Sequence, residues 1–122
     1  MKPSSLDPES VVQRQLDAYN AHDSDALAAI YADDARMFEH PAKLLARGTA
    51  QFRERWSIRF KDPLLRAELL QRMVMGPIVI DRERVTSTFP EGPGTMELIA
   101  IYEVQNGRIA NAWFMAGAKT LG

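Results

Sequence analysis

Few residues in this chain could move a proton or hold an anion. His40 stands just before Pro41, at the end of a short run (Arg36 to His40) that reads as a strand stopped by the proline. An imidazole with an ordinary pKa of about 6.5 suits general acid–base work at neutral pH; the plainer alternative is a histidine hydrogen-bonded at a rim. Glu39 falls on the opposite face of that strand and takes the role only if the register slips. Tyr19 lies one helical turn beyond Gln15 and could orient a ligand oxygen, or be a core tyrosine with its hydroxyl satisfied. Arg55 and Arg59 are the available anion clamps, with a solvated position as the plainer reading for each. His22, between two helices, is expected to be exposed, and the Asp33-Asp34 pair to end a helix rather than form an acid–base dyad.

Other chemistries lack their parts. There is no cysteine, hence no disulfide, thiolate site or cysteine nucleophile. Two histidines eighteen residues apart have no usual ligand spacing, so no metal is expected. Without a glycine-rich phosphate loop or its lysine, no nucleotide or other cofactor is implied. Fifteen basic against sixteen acidic residues leave a net charge of −1, which gives no field for nucleic acid. The charge is uneven, however. Residues 1–35 hold seven carboxylates against Lys2 and Arg14, whereas residues 36–84 hold eleven of the fifteen cations. The plain reading is a solvated face; the sharper one is an arginine turned inward to meet an anionic group on a ligand. The opening MKPSSLDPES lacks the apolar core of a secretory signal, and no apolar run approaches membrane-spanning length. A soluble cytoplasmic protein without membrane contact is the expectation.

The elements that must position these residues form one domain over 1–122, with 46% hydrophobic residues to supply its core. Asp7 can cap a first helix, Pro8 suits its first position, and Val12, Leu16 and Tyr19 recur at helical spacing beside Val11 and Gln15. A short second helix carries Leu27, Ile30 and Tyr31, ending at Asp33-Asp34. In a third, Phe52, Trp56 and Phe60 repeat every four residues before Asp62-Pro63. The span 64–75 fits helix or strand; 78–89, 95–104 and 108–116 read as strands, separated by a rigid loop (Pro90 to Gly94) and an Asn106-Gly107 turn. Helices followed by an antiparallel meander make an α+β fold.

One turn decides which side chains face inward. A two-residue turn at Asn106-Gly107 sets Trp113 opposite Ala100, while a three-residue turn including Gln105 sets Ala112 there. A one-residue shift swaps every side chain to the other face, and turn chemistry permits both.

The stretch VVQRQLDAYNAHDSDALAAIYADDARMFEHP, followed by RGTAQFRERW, closely resembles the opening of bacterial ketosteroid isomerases. More broadly it resembles the nuclear-transport-factor-2-like superfamily, which includes the SnoaL-like polyketide cyclases; IAIYEVQNGRIANAWFMAG matches that superfamily's last hairpin. The resemblance implies a cone-shaped fold, with three N-terminal helices packed on a curved, mostly antiparallel sheet around a pocket, and a homodimer through the outer sheet face. It favours the bulged turn. Trp56, Leu98, Ala100, Tyr102, Ala112 and Phe114 would then contact a small hydrophobic molecule, with Ala116 on the same face, while Ile99, Ile101, Trp113 and Met115 face the partner subunit.

Ketosteroid isomerase uses an Asp base with a Tyr and a protonated Asp as oxyanion hole. By resemblance the tyrosine position falls on Gln15, the protonated acid on Ala100, and the base on His40, or on Glu39 without a gap. Gln15 is a weak donor and Ala100 donates nothing, so authentic ketosteroid isomerisation is not expected. Trp56 matches an aromatic that supports the oxyanion tyrosine, and would bond Gln15 or simply pack. What remains is a SnoaL-like pocket protein working as a cofactor-independent isomerase, cyclase or lyase. His40 would carry the proton while Gln15 and Tyr19 bind the substrate oxygen. The alternative is a non-catalytic homodimeric ligand-binding or interaction domain.

Overall fold

Helix α1 (Pro8–Asn20) starts where Asp7 accepts a hydrogen bond from the Ser10 amide at 2.8 Å, with Pro8 in the first turn. The computed structural model describes residues 7–122. Asp23 caps α2 (Ser24–Ile30) through the Ala26 amide. That helix ends at Ile30 rather than at Asp33-Asp34. Tyr31 is already extended, and strand β1 (Tyr31–Glu39) begins there, burying Tyr31, Ala35 and Met37. Asp33 and Asp34 are exposed on it, and Asp33 meets Arg108 at 3.3 Å. Strand β2 (Lys43–Arg47) buries only Ala46 fully and so carries little alternation to mark it in the sequence. Helix α3 (Gly48–Arg59) has no capping side chain at Arg47; Gln51 reaches back to accept from the Arg47 amide at 2.7 Å.

Four strands complete the chain: β3 (Arg66–Met75), β4 (Ile78–Phe89), β5 (Gly92–Gln105) and β6 (Arg108–Leu121). The sheet order is β2-β1-β6-β5-β4-β3, with β1 and β6 parallel and every other pair antiparallel. This is the expected α+β class. The ambiguous span becomes a strand, with an irregularity between Leu69 and Gln71. The expected loop from Pro90 to Gly94 shrinks to Pro90 and Glu91, since Phe89 pairs directly with Gly92. Gly94 is needed where β6 runs close: a Cβ there would sit 2.5 Å from the Thr120 carbonyl oxygen.

The last hairpin follows neither expected register. Asn106 and Gly107 both have positive φ (54° and 78°) and Gln105 pairs with Arg108, a two-residue turn. Val104 pairs with Ile109 but Glu103 pairs with Asn111, leaving Ala110 as an extra residue. Ala100 therefore lies opposite Phe114, not Trp113 or Ala112. The bulge has a packing reason. Ile109 and Ala112 are both fully buried in the main core, and a regular strand would send residues three apart to opposite faces. The expected faces survive: Leu98, Ala100, Tyr102, Ala112 and Phe114 share the helix side, opposite Ile99, Ile101, Trp113 and Met115.

Candidate functional site

Between α1, α3 and the inner face of the sheet lies an apolar chamber of about 200 Å³. Its elements are tied down locally. The Asn20 side chain donates to the Ala67 carbonyl and accepts from the Ala67 amide, both at 2.8 Å, which pins the end of α1 to β3. His22 is half-buried rather than exposed: its Nε2 donates to the Leu65 carbonyl at 2.9 Å and its ring stacks on Phe60. Trp56, only 3% exposed, forms one wall, edge-on to Phe52. Phe114 stands edge-on to Tyr102 on another.

Alternation along β4 supplies the chamber's charge. Val79, Asp81, Glu83, Val85 and Ser87 are buried on the inner side, while Arg82 and Arg84 point outward to Glu97 and Glu68. The sheet register then treats the two inner carboxylates differently. Asp81 sits across from Arg72, which grips it with two hydrogen bonds of 2.7 and 2.9 Å while also donating to Gln13 at 2.9 Å. Glu83 sits between Leu69 and Leu98. No hydrogen bond or ion pair reaches its carboxyl among the described residues, and it lines the chamber at 4% exposure. Burial, helped by the charge of Asp81 and opposed by Arg72, pushes its pKa up to about 7. Such a group can take and return a proton at neutral pH.

The expected site residues disperse. Tyr19 lines the chamber, with its hydroxyl oxygen accepting from Arg59 Nε at 3.0 Å. Gln15 lies behind the wall, hydrogen-bonded to the Tyr31 hydroxyl, and its Oε1 is buried without a hydrogen-bond partner. Trp56 therefore does not donate to it. Burial raises the pKa of both Tyr31 and Tyr102, which stay un-ionised. Trp56, Leu98, Tyr102 and Phe114 border the chamber; Ala100 and Ala112 are fully buried in the core and do not. His40 lies just past the end of β1, exposed and outside the lining, its amide donating to the Phe114 carbonyl. Glu39, in register with Phe114, falls on the chamber side of β1 but is also exposed. Arg55 is half-buried at the chamber's border, against the solvated reading, whereas Arg59 borders it from the exposed position that reading expected. Glu83 was missed although its signal was present: in IVIDRERV, the inward valines at both ends carry Asp81 and Glu83 inward with them.

Among the described residues no helix is long and apolar enough to cross a membrane, and no three acidic or histidine side chains gather as a metal site. A family model for the SnoaL-like domain matches residues 12–112. No curated protein matches the chain. Among solved structures it resembles an uncharacterised cystatin-fold protein from Novosphingobium aromaticivorans, at 23% identity over 93% of this chain and 98% of the other, with a TM-score of 0.80. It also resembles a proposed polyketide cyclase from Sinorhizobium meliloti (27% identity, 85% and 92% covered, TM-score 0.69). A third likeness is to IdmH, a proposed polyketide cyclase from Streptomyces antibioticus (20% identity, 89% and 91% covered, TM-score 0.76).

Proposed function

The chain belongs to the SnoaL-like domain family, and on that premise we propose that it binds a small, mostly apolar molecule in its chamber and catalyses cofactor-independent proton transfer on it, as an isomerase, cyclase or lyase. One observation carries this reading: Glu83 is a buried carboxyl without a partner in an apolar wall, with a pKa of about 7. A structural carboxylate would be paired, as Asp81 is. The likeness to two proposed polyketide cyclases supports the same side of the choice.

In this reading the ionised Glu83 accepts a proton from a carbon next to a ligand carbonyl, and the electron pair left behind moves onto the carbonyl oxygen. Glu83 then returns the proton to a second carbon, which completes an isomerisation. Because Arg59 Nε donates to the Tyr19 oxygen, the Tyr19 hydroxyl hydrogen is free to donate to the ligand oxygen as its charge develops. Glu83 thus replaces His40 as the proton carrier, and Gln15 supports Tyr31 from behind.

We also place a homodimer on the outer sheet face. Phe38, Trp113, Ile101 and Ile80 form a row across β1, β6, β5 and β4, with Phe38 stacked on Trp113. Met115 and Ile99 lie beside it, and the Arg82–Glu97 and Arg84–Glu68 pairs border it. An apolar centre with a charged rim is the anatomy of an interface.

The test is solvent-deuterium exchange into a panel of cyclic ketones and β-keto esters, followed by NMR. Wild type should exchange the acidic carbon-bound hydrogens of at least one of them, and Glu83→Gln should lose that exchange while still binding. Equal exchange by both proteins would remove the catalytic role, and binding without any exchange would leave the non-catalytic ligand-binding domain.

A further inference from the structure

The charges around the chamber are sorted by position. Glu83 stands in the buried wall, whereas Arg55 and Arg59 border the chamber from α3, one helical turn apart, with Arg59 exposed at the helix end. Six other cations among the described residues are engaged by carboxylates (Arg53, Arg72, Arg82, Arg84, Arg108 and Lys119), while Arg36, Lys43, Arg47, Lys61 and Arg66 are not but stand outside the chamber lining. Arg55 and Arg59 have no carboxylate partner among the described residues, and Arg59 is steadied by the Tyr19 hydroxyl instead. Like charges four residues apart on a helix repel, so this arrangement costs stability unless an anion lies between them. The neighbouring Arg53, by contrast, is matched to Asp25 at 2.9 Å.

We propose that the chamber selects amphipathic carboxylic acids: the carboxylate sits between Arg55 and Arg59, and the apolar body points inward against Trp56, Leu98 and Phe114. The proposal rests on the chamber being the ligand site. It also sets the ligand's orientation. A carboxylate cannot lie against Glu83 without forcing one of the two to stay protonated, so the anionic end stays outside and the carbon that exchanges its proton lies inside. A monoanion fits better than a dianionic phosphate, because Arg59 closes α3 and the helix's carbonyl end adds partial negative charge there. The planar guanidinium fork matches a carboxylate directly.

The test uses a Trp113→Phe background, in which Trp56 is the only remaining tryptophan and reports from the chamber wall. The probes are 4-phenylbutanoate and its primary amide, which share one apolar body and differ in charge. The acid should bind about tenfold or more tighter than the amide. Replacing both Arg55→Gln and Arg59→Gln should erase that preference, so that acid and amide bind equally, and an unchanged circular dichroism spectrum shows that the variant is folded. Arg53→Gln should leave the preference intact. If acid and amide bind the parent equally, the clamp is overturned while the chamber stands. If neither probe alters Trp56 emission at millimolar concentration, the chamber reading falls and takes the clamp with it.

Discussion

Asp81 and Glu83 stand two residues apart on the inner face of β4, both buried, and only Asp81 has a guanidinium. The cause is lateral: β3 offers Arg72 across from Asp81 but Leu69 near Glu83, and β5 offers Ala100 and Leu98. One carboxylate is thereby structural and its neighbour is left chemically available.

Glu83 should weaken the fold when ionised. Its folded pKa of about 7 lies above the ordinary 4.5, so the folded state holds its proton more tightly than the unfolded chain does. The stability this provides is fully present below about pH 4.5 and is lost as pH rises to about 7. Glu83→Gln should therefore be more stable than wild type at about pH 8, by on the order of 2–3 kcal/mol, with the difference shrinking towards about pH 4.5. Melting curves across that range check the sign; a variant less stable at every pH would contradict it.

Arg72→Met should be among the most damaging single changes. It strands an Asp81 side chain with no exposure, at a cost of about 3–5 kcal/mol. Replacing both partners, Arg72→Met with Asp81→Leu, should recover most of the loss. Urea titrations of the single and double variants measure the difference.

Asp62 clasps the entry to β3 onto the end of β4, accepting from the Thr88 amide at 2.7 Å, the Ser87 and Thr88 hydroxyls at 3.0 Å and the Leu64 amide at 3.0 Å. These bonds, the Thr88 amide foremost, hold its pKa down to about 2, from 3.8. Here the stabilisation is present above about pH 3.8 and lost as pH falls through about 2. Asp62→Ala should melt at a lower temperature than wild type at neutral pH and approach it in strong acid. A constant gap at all pH values would assign the effect to something other than this carboxylate.

Trp113→Glu should turn a dimer into a monomer in sedimentation velocity without changing the circular dichroism spectrum, because the residue lies on the outer face away from the core. A wild-type protein that sediments as a monomer at high concentration would remove the proposed interface.

Much of the fold was legible in short-range chemistry. Asp7 is a cap read from type and position, and Asn106-Gly107 marked its own turn. The inner and outer faces of the last hairpin follow from the family resemblance and not from turn chemistry, which permits both registers, and nothing in the local turn sequence encodes the Ala110 bulge that produces them. The site was harder to read. His40 drew attention because histidine titrates near neutrality in water, yet it lies outside the chamber. Glu83 has an ordinary side chain made unusual by Leu69 and Leu98, neighbours brought from other strands by a register that sequence spacing does not show. The inward turn of Arg55 depends on where α3 lands against the sheet, which is likewise a long-range fact.

Strand β6 is last in sequence order but third in the sheet, with β1 on one side and β5 on the other. Before it is laid down, β1–β2 and β3–β5 are separate ribbons with no strand pairing between them. Residues 108–121 are therefore what joins the two ribbons into one sheet. The same seam makes the protein a natural candidate for splitting: a fragment ending at Gln105 presents a slot shaped for one strand, and a separate peptide carrying β6 supplies it, together with Phe114 for the chamber wall. Reassembly of the two pieces would then report their encounter through recovery of the chamber.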